Sequence, residues 1–263
     1  MRDVQNEPDL RNIPLDRVGV SDLSYPIEVR DRDHKVQRTV ARIAMAVSLP
    51  RDYRGTHMSR FVEVLESMGG QVTVHRMDSL VALLQERLAA QSAEVEFRFP
   101  YFIQRHAPQS GAASLTRYDV VFRASRQEDR FDLVTTVRAP VLTLCPCSRE
   151  ISEAGAHNQR AHVTLSVRMA SIVWIEELAD LAERCASCPV YSLLKREDEK
   201  HVTEQAYHNP RFVEDVAREA ALALDGDPRI PWYRVTVKSH ESIHNHDAFA
   251  SLERDRRSPE VAP

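Results

Sequence analysis

The chain has 263 residues, with 35 lysines and arginines against 39 aspartates and glutamates. This length suits one large domain or two modest ones, and the balanced charge excludes a strong field for nucleic acid or a membrane surface. Seven glycines form no phosphate-cradling motif, four cysteines make no disulfide framework, and no apolar run approaches the ~20 residues of a membrane span. The opening residues 1–7 carry no apolar signal core, so a cytoplasmic location with reduced thiols is expected.

Residues 1–25 are polar and are expected to be irregular. Residues 26–33 and 36–49 read as strands, the second apolar at Val40, Ile43, Met45 and Val47. A helix follows from Ser59, with Phe61, Val64, Leu65 and Met68 on one face, and a second carries Leu80, Leu83, Leu84 and Leu88 at the same period. Alternation returns at Val95, Phe97 and Phe99, at Tyr118, Val120 and Phe122, and at Phe131, Leu133, Thr135 and Val137. The second half repeats this order. Val163, Leu165, Val167 and Met169 alternate as a strand, helices are expected over 175–184, 198–207 and 212–224, and Tyr233, Val235 and Val237 form a late strand. Residues 253–263 read as a solvated tail. Strands, a helical pair and strands again, given twice, predict a duplicated α+β unit with antiparallel sheets and helices on one face. Exposed strand edges in such units need covering, which oligomerisation supplies.

The segment Cys145-Pro146-Cys147-Ser148-Arg149-Glu150, with His157 a few residues on, carries the chemistry. On an extended chain Cys-x-Cys directs both thiols to one face, and Pro146 ends the ladder there. Thiolate and imidazole together suit a borderline-soft divalent ion. A four-thiolate structural zinc site with Cys185 and Cys188 is the competing arrangement. However, Leu178, Leu181, Cys185 and Cys188 follow a single helical stripe, which reads as buried thiols. Cys145, Cys147 and His157 then need an oxygen or nitrogen partner, as in an open catalytic site. His244 and His246 share a face of an extended segment and are suited to moving protons near neutral pH. The acids of 197–199 and Glu214 with Asp215 stand in first turns of helices, where the dipole alone favours them, and the residues do not choose among them. Between 55 and 60, a capping role for Thr56 or Ser59 competes with ligand contacts from His57 and Arg60.

Taken in order, 55–61 (Gly-Thr-His-Met-Ser-Arg-Phe), 145–151 (Cys-Pro-Cys-Ser-Arg-Glu-Ile), 156–160 (Ala-His-Asn-Gln-Arg), 194–200 (Leu-Lys-Arg-Glu-Asp-Glu-Lys), 212–215 (Phe-Val-Glu-Asp) and 241–246 (Glu-Ser-Ile-His-Asn-His) resemble the type IB GTP cyclohydrolases. The resemblance runs from about residue 8 to 250. It implies a tunnelling fold of two tandem ββααββ-like modules, 26–148 and 149–252, closing into barrels as a homotetramer with sites at subunit interfaces. It implies conversion of GTP and water to formate and 7,8-dihydroneopterin triphosphate, the first step toward tetrahydrofolate.

By motif position the resemblance makes Cys145, His157 and Glu199 ligands of one divalent metal, whether zinc, manganese or iron, and Glu214 the residue that grips guanine. Cys147, His244 and His246 are the further catalytic candidates, and Arg60, Arg160, Lys195, Arg196 and Lys238 are available for the triphosphate. Cys185 and Cys188 lie outside the family's motifs. Two rival readings remain: an archaeal-type enzyme releasing a dihydroneopterin cyclic phosphate, and a non-catalytic protein built on the four-cysteine zinc site.

Overall fold

The structure, a computed structural model, describes residue 5 and residues 7–33 and 35–257. The chain divides into two compact units, residues 1–100 with 121–135 and residues 101–120 with 136–263.

In the first unit β1 (Leu15–Asp31) and β2 (Lys35–Leu49) form a long antiparallel pair. They are followed by α1 (Met58–Ser67), the short β3 (Gln71–Val72), which runs parallel to β1, and α2 (Val74–Leu88). Next come β4 (Ser92–His106), β5 (Ala113–Gln127) and β6 (Arg130–Leu144), whose residues divide between the two units. β2 pairs with β4 so that Ile43 faces Phe97 and Met45 faces Val95. Phe61, Val64 and Leu65 of α1 and Met77, Leu80, Val81 and Leu84 of α2 are buried with the apolar face of these strands. Burial of each such side chain contributes about 1.5–3 kcal/mol. Both helices thus form where a 3.6-residue apolar stripe meets a sheet face.

Two expectations fail in this unit. Val40 is exposed while Ala41, Ile43, Met45 and Val47 are buried, so the inward phase of β2 begins at Ala41. The segment expected to be irregular to residue 25 instead enters β1 at Leu15. Register shifts between Leu15 and Val18 and between Val20 and Leu23, with Asp22 at φ 57°, break the two-residue alternation that would have revealed the strand. Gly19 sits where β1 approaches β2 so closely that a Cβ would collide with the carbonyl oxygen of Met45.

The second unit holds the end of β4, the start of β5 and the end of β6. Its further elements are α3 (Pro146–Ile151), β7 (Asn158–Arg168), α4 (Ile175–Cys185), β8 (Cys188–Pro189), α5 (Arg196–His208), α6 (Val213–Asp225), β9 (Trp232–Ser239) and β10 (Ala248–Asp255). Here β9 lies between β7 and β10, both antiparallel to it, and β8 adds to β6 through Val141–Pro189 and Leu142–Cys188. Ala161, Val163, Leu165 and Val167 of β7 and Tyr233, Val235 and Val237 of β9 are buried on the face covered by α4 and α6, while Arg160, Thr164 and Lys238 alternate away from it. Under α4, Tyr101 Oη donates to Glu176 Oε1 at 2.5 Å, and Arg105 binds Asp180 and Glu183 at 2.7 and 3.0 Å.

Three further corrections belong to this unit. Residues 146–151 form a short helix where an extended Cys-x-Cys was expected, because six residues are too few to show a period. The stripe joining Cys185 to Cys188 is not one helix. α4 ends at Cys185, and Cys188 lies on β8, yet both thiols are buried. The expected tail begins too early, since β10 continues to Asp255; from residue 258 onward the tail lies outside the described residues. Residues 1–4 and 6 of the opening segment lie outside them as well.

Candidate active site

Leu144 ends β6 inside a small core with Cys188 and Ala206. The next residue, Cys145, is the N-cap of α3, and Pro146 follows at the first helical position, where its fixed φ suits the helix and its missing N–H costs nothing. Cys145 Sγ accepts the Ser148 N–H at 3.4 Å. In this turn Cys145 is half-buried and Cys147 exposed, so the two thiols do not share a face as an extended Cys-x-Cys would.

Ser148 fastens the corner. Its hydroxyl donates to the Cys145 carbonyl at 3.3 Å and accepts the His157 N–H at 3.1 Å. The Cys145 N–H in turn donates to the His157 carbonyl at 3.1 Å. Gly155, at φ 88°, turns the chain back so that the two residues meet. Thiol and imidazole are thereby carried on backbones held together at three points.

His157 has two further neighbours. Its Nδ1 lies 2.9 Å from Oε1 of the buried Gln159, and its ring is 6.3 Å from that of His244, edge to face. His244 and His246 stack at 5.2 Å with their planes 18° apart. The Gln159 amide nitrogen donates to Thr143 Oγ1 at 3.3 Å and to Glu241 Oε1 at 3.4 Å, and Ser239 donates to the same carboxylate oxygen at 2.7 Å. The sequence reading missed Gln159, Glu241 and Ser239. Gln159 stands two residues from His157 at the start of a strand, a spacing that puts both on one side and was available as a signal.

Glu199 stands in the first turn of α5 and is exposed. The position of that turn is set by its neighbour Asp198, which is fully buried. Asp198 accepts the Lys195 N–H at 2.9 Å, the Gln109 N–H at 2.8 Å, and the Ser110 N–H and hydroxyl at 2.9 and 2.6 Å. Burial alone would raise its pKa, but these donors outweigh burial and hold the carboxyl well below the ordinary range. The far end of α5 packs through Val202 and Ala206 on Leu144 and Cys188, and the Arg149 guanidinium of α3 lies 4.8 Å from the Tyr207 ring centre.

The other candidates are dispersed. Glu214 is exposed in the first turn of α6, whose N-terminus is capped by Asp215 Oδ2 accepting the Phe212 N–H at 3.0 Å. Lys195 and Arg196 are exposed at the start of α5, and Arg160 is exposed on β7. Lys238 pairs with Asp247 at 2.8 Å. Arg60 belongs to α1 of the first unit, where it donates to the Arg87 carbonyl at 3.1 Å.

The structure therefore brings Cys145, His157, His244 and His246 into one corner. The thiol and imidazole there have the donor chemistry of a borderline-soft ion. Among the described residues, however, no three His, Cys, Asp or Glu side chains form a group that could hold a metal ion. The four cysteines likewise form no such group. No described helix is long and apolar enough to cross a membrane.

Among solved structures the chain resembles the uricase of Arthrobacter globiformis, with TM-score 0.55 and 8% identity over 94% of this chain and 96% of that one. It also resembles the urate oxidase of Bacillus sp. TB-90, with TM-score 0.54 and 8% identity over 92% and 100%. At that identity the likeness defines the fold alone: an α+β protein of the urate oxidase architecture. The sequence is more specific. A family described as type I GTP cyclohydrolase folE2 matches residues 1–250. GTP cyclohydrolase FolE2 of Kosmotoga olearia is 53% identical over 256 residues, covering 97% of this chain and 99% of that protein. Its counterpart in Geobacter sulfurreducens is 51% identical over 257 residues, covering 98% and 99%. The chain belongs to the FolE2 family of type I GTP cyclohydrolases.

Proposed function

We infer that this chain hydrolyses GTP at guanine C8 and rearranges the product to formate and 7,8-dihydroneopterin triphosphate, the first step of tetrahydrofolate biosynthesis. The observation that carries this reading is the match to FolE2 proteins along essentially the whole chain at about half identity. The reaction consumes one water overall, opens the imidazole ring of guanine and releases its C8 as formate.

The residues divide the work as follows. Glu214 accepts two hydrogen bonds, from guanine N1–H and the 2-amino group, which fixes the purine. His244 and His246, stacked beside His157, take and return protons during ring opening and loss of the formyl group. Cys147, exposed on the first turn of α3, stands at the same corner as a group near the reacting carbon. Arg60, Arg160, Lys195, Arg196 and Lys238 supply cations for the triphosphate.

Cys145 and His157 form two-thirds of a ligand set for zinc, manganese or iron, and Glu199 is the third donor. When bound, such an ion makes water acidic enough to react near neutral pH, moving its pKa from ~15.7 toward ~7. Assembly would bring the ligand set together at the subunit interfaces. The assembly proposed is a homotetramer of tandem ββααββ-like modules, with sites at subunit interfaces and sheets closing into barrels. Ile243 and Phe249, 64% and 74% exposed beside the histidine pair and on β10, support a copy covering that edge. The enzyme is placed in the cytoplasm.

The direct test incubates metal-reconstituted protein with GTP and follows formate and a fluorescent pterin after oxidation. Product mass separates a retained triphosphate from a cyclic phosphate. Absence of turnover with all three metals would sink the proposal.

A further inference from the structure

We propose that Gln159 is a positioning residue that holds His157 as the Nδ1–H tautomer, leaving Nε2 as the nitrogen with a free lone pair. The inference rests on the reading of His157 as a metal ligand and goes beyond it by assigning which nitrogen ligates and what enforces the choice.

The assignment follows from the polarity of a hydrogen-bonded chain. A carboxylate only accepts, and Glu241 Oε1 already receives the Ser239 hydroxyl at 2.7 Å. The end of the Gln159 amide that faces Glu241 at 3.4 Å must therefore be its NH2, which also donates to Thr143 Oγ1 at 3.3 Å. Its oxygen is then directed at His157 Nδ1, 2.9 Å away, and receives a second donor, the Ser242 hydroxyl, at 3.5 Å. An acceptor oxygen at that distance requires a proton on Nδ1. In the reversed amide, the Gln159 oxygen would face the Glu241 carboxylate in a buried place, two acceptors with no proton between them. In a neutral ring, a proton on Nδ1 puts the lone pair on Nε2.

The arrangement also fixes the plane of the ring. One edge is tied to Gln159, the backbone is tied to Cys145 and Ser148, and the remaining nitrogen points away from the bonded edge. Outer partners of this kind orient a ligating imidazole and raise its basicity, and their loss weakens metal binding by about 10–100-fold.

The test uses the full chain with cobalt(II) as the probe. Cobalt affinity is measured by competition with a chelator, and the histidine tautomers of the metal-free chain are read by NMR with nitrogen-labelled histidine. Gln159→Leu is expected to weaken cobalt binding about 10–100-fold and to release His157 from the Nδ1–H form. The double variant Gln159→Glu with Glu241→Gln keeps an acceptor facing His157 and a donor between positions 159 and 241. It is expected to preserve both the tautomer and the affinity. Parent-like affinity and tautomer in Gln159→Leu overturn the proposal. So does a shift to the Nε2–H form in the double variant when its circular dichroism is unchanged. His157→Ala separates the two levels: if it binds cobalt as tightly as the parent chain, the ligand reading itself falls. If it loses cobalt while Gln159→Leu does not, only the inference about Gln159 falls.

Discussion

The two cysteine pairs of this chain invite comparison. Cys185 and Cys188 are buried at the end of α4 and on β8, and burial pushes their thiols up to about 11 and about 12. At neutral pH they are uncharged, poor ligands and poor nucleophiles, and they pack as small hydrophobes. Cys145 and Cys147 stand where β6 gives way to α3, partly or fully exposed, with a backbone N–H donated to Cys145 Sγ and an imidazole carried beside it. The spacing between thiols says little about their chemistry. What separates the pairs is whether the chain leaves them open to water beside a hydrogen-bond donor and an imidazole, or buries them.

The contrast is broken most directly by removing one thiol from each pair. Cys145→Ala is expected to bring formate release down to the uncatalysed level, while Cys185→Ala keeps turnover; equal losses would erase the distinction. The two acids outside the corner come next. Glu199→Ala is expected to strip cobalt, whereas Glu214→Ala keeps cobalt and loses productive GTP binding, seen as a large rise in KM. Metal loss in both would show their roles to be misplaced.

Cys188→Ser probes the buried pair alone. A hydroxyl in that apolar place costs about 1–3 kcal/mol in urea unfolding, with turnover per folded molecule unchanged. Burial should act on an imidazole as it does on a thiol. His162 is held down to about 4, first by burial and then by Arg138, His240 and Arg160. Above pH 6.5 the ring is neutral in both folded and unfolded chains and contributes nothing. As pH falls from 6.5 to about 4 the unfolded chain takes a proton that the folded one refuses, and stability drops by about 2 kcal/mol after allowance for partial solvation. His162→Gln should flatten that slope; an unchanged slope assigns it to other groups. The smallest effect is kinetic: with iodoacetamide on the native chain, Cys147 is modified ahead of Cys185 and Cys188, in keeping with its exposure.

The legibility of the molecule follows the range of its interactions. The helices α1, α2, α4 and α6 and the inner residues of β4, β5, β7 and β9 were readable because each repeats its own period against a single apolar face. β1 before residue 26 was not, because two register shifts interrupt the period. The helix α3 is shorter than any window that measures a period, and β10 alternates only half-buried with exposed residues. At the site, Cys145, Cys147 and His157 were legible as a local cluster of reactive types. Asp198 and Glu241 were not, since Gln109, Ser110 and Gln159, which they hold, lie 82–89 residues away in sequence and the helix dipole already explains an acid at the start of α5.

The clasp of Asp198 on Gln109 and Ser110 also carries a consequence for the order of events during folding. Closing a loop of 88 or 89 residues costs chain entropy that no local helix tendency repays in advance. The first turn of α5 is thus expected to settle only after the turn between β4 and β5 exists, whereas Cys145 and His157, twelve positions apart, meet early. A nascent chain would then hold a thiol and an imidazole side by side well before the first turn of α5 is set. On the ligand set proposed above, the capacity to retain a metal would arrive with the completed unit, and acquisition of the ion would follow folding.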